Sequence, residues 1–204
     1  PIIFAYRHDR ATHYRIYFTG LSVNANVTRN RIHTPFGGAS SSTSIFNGIY
    51  FTGVDALSGI ENIVSNNLIS TLNGAGDQYG LYNSSSDNVR YYHKTVVMDG
   101  TGTGTTASTV TRGFYQITAA AGIDFRNNII TMTRGGASAK TAMYFGTTIT
   151  ATNIITANRN DYYLTLTGGA TNTGFYNGAA QASLVNWQTV SAQDANSIAV
   201  NPLF

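Results

Sequence analysis

The chain has 204 residues, enough to bury a substantial core, and carries 12 basic against 9 acidic residues for a net charge of +3. Charged residues make up 10% of it, against roughly 25% in an ordinary globular domain, while apolar residues reach 42% and aromatics 12%, a balance that excludes disorder. The lack of cysteine excludes disulfides and thiolate metal sites, no apolar run of about 18 residues is present to span a membrane as a helix, and no basic tract points to nucleic acid.

The densest basic cluster, Arg7, His8, Arg10, His13 and Arg15, opens the chain. A short segment then recurs along it. Its copies are Ile16-Tyr17-Phe18, Ile49-Tyr50-Phe51, Leu81-Tyr82-Asn83, Phe114-Tyr115-Gln116, Met143-Tyr144-Phe145 and Phe175-Tyr176-Asn177. Each centres on Tyr and has a large apolar residue before it, and in four copies a glycine precedes that residue (Gly48, Gly80, Gly113, Gly174). Successive tyrosines lie 33, 32, 33, 29 and 32 residues apart. Between them runs a second set: Asn30-Arg31-Ile32, Asn67-Leu68-Ile69, Lys94-Thr95-Val96, Asn128-Ile129-Ile130 and Asn160-Asp161-Tyr162. The asparagine is doubled in two copies, Asn66-Asn67 and Asn127-Asn128.

These segments are rich in Ile, Val, Tyr, Phe and Thr and are punctuated by Gly and Asn, which predicts short strands. The best helix candidate is Ala179 to Trp187, near the end. A period near 32 without a helix or a leucine skeleton in each unit excludes tetratricopeptide, ankyrin and leucine-rich repeats. The remaining architecture is all-β: a solenoid, a right-handed parallel β-helix of about six coils, with equivalent residues stacked about 4.8 Å apart.

Stacking then assigns roles. Ile16, Ile49, Leu81, Phe114, Met143 and Phe175 form one inward ladder, and Val27, Val64 and Phe125 line another wall. Asn30, Asn67, Asn128 and Asn160 form a structural asparagine ladder at a bend, bonding to the next coil or to local backbone. Strand alternation turns Tyr17, Tyr50, Tyr82, Tyr115, Tyr144 and Tyr176 outward as a candidate glycan- or protein-binding face. The opposite phase, with the tyrosines buried and Asn83, Gln116 and Asn177 outside, stays open at this level.

Catalytic chemistry finds little purchase. Polysaccharide hydrolysis needs two carboxylates flanking the scissile bond. The nine acidic residues are Asp9, Asp55, Glu61, Asp77, Asp87, Asp99, Asp124, Asp161 and Asp194; none are adjacent and they fall at different offsets in the repeat, as turn residues do. Lys94 takes an asparagine position of the second ladder, beside His93, and is read as an exposed strand position. His8, His13, His33 and His93 lack zinc-site spacing, no Gly-x-Ser-x-Gly motif occurs, and Gly100 to Gly104 lacks the Lys-Ser/Thr sequel of a phosphate loop. No catalytic residue, metal or cofactor is assigned.

The phrases Gly48-Ile49-Tyr50, Ile63-Val64-Ser65-Asn66-Asn67-Leu68-Ile69 and Phe125-Arg126-Asn127-Asn128-Ile129-Ile130 resemble bacterial right-handed parallel β-helix repeat proteins of the secreted or surface type. The ending, Gln193-Asp194-Ala195-Asn196-Ser197-Ile198 and Asn201-Pro202-Leu203-Phe204, is similar to the closing segment of such domains, with Asn201 where Asp is more usual. The resemblance implies a fold shared by polysaccharide lyases, pectin hydrolases, epimerases, phage tailspikes and adhesin-like surface proteins. The resulting expectation is one parallel β-helix domain over 1–204, a piece of a longer protein, with 178–204 as a C-terminal cap. It acts as a structural or adhesive module of a secreted or cell-surface bacterial protein, without catalysis. A carbohydrate-active β-helix, or a glycan-binding module without chemistry, is the alternative. Expected partners are polysaccharide, other surface proteins and flanking domains, with no nucleic acid and no membrane span.

Overall fold

The computed structural model describes residues 2–4, 7–8, 12–100, 103–146, 156–165 and 168–203. Two short strands, β1 (Ile2–Phe4) and β2 (Arg7–His8), come first. Each coil then contributes three strands. They are β3 (Thr12–Thr19), β4 (Asn26–Thr28) and β5 (Arg31–His33); β6 (Ile45–Thr52), β7 (Asn62–Ser65) and β8 (Leu68–Ser70); β9 (Gln78–Ser84), β10 (Val89–Tyr92) and β11 (Thr95–Met98). Next come β12 (Val110–Gln116), β13 (Asp124–Arg126) and β14 (Ile129–Met132); then β15 (Ala139–Phe145), β16 (Thr156–Asn158) and β17 (Asp161–Leu164). The chain closes with β18 (Thr171–Tyr176), β19 (Ala179–Gln181) and helix α1 (Leu184–Ser191).

Strands in equivalent positions pair in parallel to give three sheets. The first runs β1-β3-β6-β9-β12-β15-β18-β19 with β2 also on β3, the second β4-β7-β10-β13-β16, and the third β5-β8-β11-β14-β17. Among the described residues, only β1 and β2 on β3, and β19 on β18, pair antiparallel. This is a right-handed parallel β-helix. The six tyrosine segments count the parallel rungs of the first sheet; complete three-strand turns number five.

The interior is three walls of stacked apolar side chains. Ile49, Leu81, Phe114 and Met143 fill the first and are fully buried. Val27, Val64, Tyr91, Phe125 and Ala157 fill the second; Ile32, Ile69, Val96, Ile130 and Tyr162 fill the third. Removing each large side chain from water contributes roughly 1.5–3 kcal/mol. The glycine before the apolar residue of the first sheet is demanded by close approach between coils. A Cβ on Gly48 would lie 2.4 Å from the Gly80 carbonyl oxygen, and one on Gly80 would lie 2.8 Å from that of Gly113.

The last rung departs from the expected pattern. Met143 pairs with Gly174 and Tyr144 with Phe175, so Phe175, not Tyr176, continues the outer column. The inward position therefore holds no side chain, and Trp187 of α1 fills the gap. A Cβ on Gly174 would lie 2.2 Å from the indole ring. Trp187 is fully buried, parallel to Phe145 at 5.8 Å and edge-on to Tyr176 at 5.9 Å. The predicted helix over Ala179 to Trp187 is a strand at its start, because Ala179–Gln181 folds back on β18 through the left-handed pair Asn177-Gly178. The helix begins later, where the Ser183 hydroxyl accepts the Asn186 amide at 3.2 Å. Ile16, expected fully inside, is only half-buried on the first rung.

Replacing Gly174 with Ala forces its methyl against Trp187 and is expected to cost about 2 kcal/mol in urea unfolding. Combining it with Trp187→Phe should cost less than the two single losses together, because both changes act on one contact.

Candidate functional site

Two features of the solenoid hold the residues singled out in the sequence: an outer aromatic column on the first sheet, and an inner polar column at the bend between the second and third sheets.

The outer column resolves the phase. Tyr17, Tyr50, Tyr82 and Tyr144 are half-buried and Tyr115 is 8% exposed, while the residue before each of Tyr50, Tyr82, Tyr115 and Tyr144 points inward and is fully buried. Asn83 and Gln116 are inside as well, contrary to the reversed phase. Asn83 is accommodated there because its side chain closes the following turn, accepting the Ser86 amide at 3.1 Å and donating to the Ser86 carbonyl at 3.0 Å. Tyr176 is not in the outer column, for the register reason above.

The rings stack on one another along the axis. Centroids lie 5.2 Å apart for Tyr17–Tyr50, 4.3 Å for Tyr50–Tyr82 and 4.6 Å for Tyr82–Tyr115. Tyr115 and Tyr144 meet edge-on at 5.4 Å, and Tyr144 lies flat on Phe175 at 4.5 Å. Where the stack breaks, the Arg112 guanidinium fills it, 4.1 Å from the Tyr115 centroid and 3.6 Å from that of Tyr144. Tyr79, in register with Arg112, adds a ring 5.0 Å from Tyr115. Burial pushes the Tyr79 and Tyr82 hydroxyls well above the ordinary phenol range. The ring faces are thus spent on one another, and the Tyr79 hydroxyl donates to Asp77 Oδ2 at 3.3 Å.

The inner column begins with a backbone constraint. The residue ahead of each ladder position is left-handed: Arg29 (φ 59°), Asn66 (53°), His93 (52°), Asn127 (55°) and Arg159 (57°). Asparagine tolerates that region better than most residues, which explains the doubled Asn66-Asn67 and Asn127-Asn128. The second residue turns inward, where the side-chain oxygens of Asn67, Asn128 and Asn160 accept from the coil before. Asn67 Oδ1 takes the Asn30 amide at 3.0 Å and its Nδ2 at 2.9 Å; Asn128 Oδ1 takes the Lys94 amide at 3.0 Å; Asn160 Oδ1 takes the Asn128 amide at 2.9 Å. The Asn160 amide in turn reaches Ser197 Oγ at 2.8 Å. Each Nδ2 also finds a carbonyl: Thr28 for Asn30, Val27 for Asn67, Tyr91 for Asn128 and Phe125 for Asn160.

Lys94 is the exception in this column and is not the exposed strand residue the sequence implied. It is 1% exposed, its Nζ donates to the Val64 carbonyl, and it lies 4.9 Å from the Tyr91 ring centroid. Among the described residues no carboxylate bonds it, and burial holds its pKa well below that of an ordinary lysine. Two further cations are buried, and neither was singled out from the sequence. Arg134 donates to Thr111 Oγ1 at 2.7 Å and to the Gly74 and Gly76 carbonyls at 3.0 and 2.8 Å, with its pKa lowered to about 10 by burial. Lys140 Nζ donates to the carbonyls of Gly136, Ser138 and Gly168, and burial and then Arg134 lower its pKa.

The carboxylates are equally engaged, and they tie coils together. Asp55 accepts the Asp87 amide at 3.0 Å, Asp77 the Val110 amide at 2.9 Å, and Asp87 the Ala121 amide at 2.7 Å. Asp99 accepts the Thr71 amide at 2.9 Å and Asp161 the Val200 amide at 3.0 Å. Glu61 pairs with Arg90 of the next coil at 2.5 Å, and the Gly59 amide together with that arginine holds its pKa down to about 2. Asp124 accepts the Tyr92 hydroxyl at 2.5 Å; burial and this bond push the phenol up to about 12. Asp194 is buried under the last coil, where Trp187 Nε1 (2.8 Å), Asn160 Nδ2 (2.8 Å), Ser197 Oγ (2.6 Å) and Tyr162 Oη (3.1 Å) all donate to it. Asp9 lies outside the described residues. Among the described residues, no three His or acidic side chains converge on one point.

Asparagines outside the repeat motif do similar work and were missed. Asn62 accepts the Ala25 amide at 2.9 Å and Asn73 the Phe36 amide at 3.1 Å. Their signal in the sequence is only an Asn 37 residues after the amide it serves, in loops of varying length. Comparison with protein-family models, curated proteins and solved structures finds no match.

Asn128→Ala strips the partner from the buried Lys94 amide and is expected to destabilise by about 2–3 kcal/mol in denaturant unfolding. Lys94 generates a pH signature. Its folded pKa is lowered below the 10.5 of an unfolded chain, so between the two values the unfolded state holds more protons and stability rises with pH. Measured against a Lys94→Met variant, wild type should therefore gain stability as pH climbs from the lowered folded value toward 10.5, with the difference constant above it.

Proposed function

We propose that this chain is a non-catalytic structural and adhesive β-helical module of a secreted or cell-surface bacterial protein. The observation that carries the reading is the use made of its acidic side chains. Eight of the nine are described, and each accepts from, or pairs with, a neighbouring coil or the segment packed on the last one. A glycosidase or lyase places carboxylates in a groove for substrate, base or cation. Here they serve as rivets along a stack. The low charge and the Thr, Ser and Asn surface suit an extracellular β-solenoid, as does the resemblance to secreted repeat proteins.

The glycan-binding alternative is weakened by the outer column itself. Sugar rings stack on open aromatic faces, and here neighbouring rings or Arg112 cover those faces. The partly exposed rings fit a looser role, contact with a polysaccharide or protein surface lying along the axis.

The test is a depolymerisation assay on acidic and neutral polysaccharides, following new reducing ends and unsaturated products. The proposal expects no product above a heat-denatured control. Product formation abolished by Asp→Asn substitution at Asp87, Asp124 or Asp161 would overturn it.

A further inference from the structure

We infer that the tyrosine column is a site of oxidative cross-linking, and that Tyr50 and Tyr82 are the pair that couples. Both project from the first sheet in direct register on β6 and β9. Their rings are stacked at 4.3 Å and 24°, the shortest separation among the described tyrosine pairs, and both are partly exposed. Two phenols held in contact react as if at very high local concentration. The neighbouring pairs are less suited. Tyr17 and Tyr50 are wider at 5.2 Å and 40°; Tyr115 is nearly buried and lies under the Arg112 cation, which opposes removal of an electron; Tyr115 and Tyr144 meet edge-on.

The oxidant is hydrogen peroxide turned over by a haem peroxidase. It takes one electron and one phenolic proton from each ring. The two phenoxyl radicals join through the ring carbons beside the oxygens. The hydrogens at those carbons move to the oxygens through water and restore two phenols. One carbon–carbon bond is formed, two hydrogen atoms are lost in all, and the peroxide leaves as two waters. The bond joins the second and third coils across 32 residues of chain, and a cross-link of that span limits the unfolded state and raises stability.

The dilute protein is treated with peroxide and peroxidase, and the monomer is isolated under denaturing conditions, digested and analysed by tandem mass spectrometry. The expected result is a peptide pair linked through Tyr50 and Tyr82, lighter than its parts by two hydrogens, with dityrosine fluorescence in the monomer. An upward shift of the thermal midpoint accompanies it. Tyr82→Phe keeps the ring stack and should lose this peptide and the shift while folding as wild type does; Tyr50→Phe is the second variant. Dityrosine confined to covalent dimers would overturn the inference. So would coupling spread equally onto the off-column Tyr163, or a thermal shift that survives both substitutions.

Discussion

The bend between the second and third sheets sets the terms for the rest of the molecule. There the chain turns on one left-handed residue and exposes the next amide to the interior, away from water. A buried amide without a partner costs about 1–3 kcal/mol, and the solenoid would repeat that cost on every coil. For Asn30, Lys94 and Asn128 an inward asparagine one coil on removes it, because its oxygen accepts the amide while its nitrogen finds a carbonyl, and Ser197 serves the Asn160 amide. These inward side chains satisfy the backbone at the bend and help fix the register between coils. The apolar walls on either side, Val64, Tyr91 and Phe125 on one and Ile69, Val96 and Ile130 on the other, stack in line because of it.

The same economy governs the charges. A solenoid core is narrow, and its polar groups face either the next coil or solvent. Asp55, Asp77 and Asp87 each take an amide from the following coil, and the buried cations Lys94, Arg134 and Lys140 rest on backbone carbonyls. A carbonyl set around an ammonium provides hydrogen bonds without a counter-charge, so the desolvation of the cation is only partly offset. Burial lowers the pKa of all three, Asp77 partly offsets it at Arg134, and Arg134 lowers Lys140 further. The tyrosines follow the logic on the outside: neighbouring rings, and Arg112 between Tyr115 and Tyr144, cover ring faces and so shield apolar area the strands would otherwise leave wet.

Much of the fold was legible because stacking writes a period into the sequence. The tyrosine spacing and the asparagine segments identified the coils, while the contact role of Gly48, Gly80 and Gly113 between backbones shows only in the structure. The period failed at the last rung. Phe175 and Tyr176 are both aromatic, the spacing from Tyr144 to Tyr176 fits the repeat, and nothing local shows that Gly174 leaves a hole for Trp187. That depends on a helix folding back from ten residues further on. Lys94 misled for a related reason. Its side chain is polar and long, the usual mark of a surface position, yet it takes an inward place in the asparagine column. Arg134 and Lys140 were illegible, since their partners are carbonyls of loops whose lengths vary between coils. The outward phase of the tyrosines became certain only with the burial of Ile49, Leu81 and Phe114.

Native-state amide hydrogen exchange, resolved by residue, tests the central claim most directly. The amides of Asn30, Lys94, Asn128 and Asn160 are bonded to side chains rather than to a strand partner. The account predicts protection for Lys94, Asn128 and Asn160 that matches the flanking strand amides of β10, β11 and β14. Exchange of these three amides at the rate of open loops, while those strands stay protected, would contradict it and remove the asparagine column from its place as the constraint on the fold.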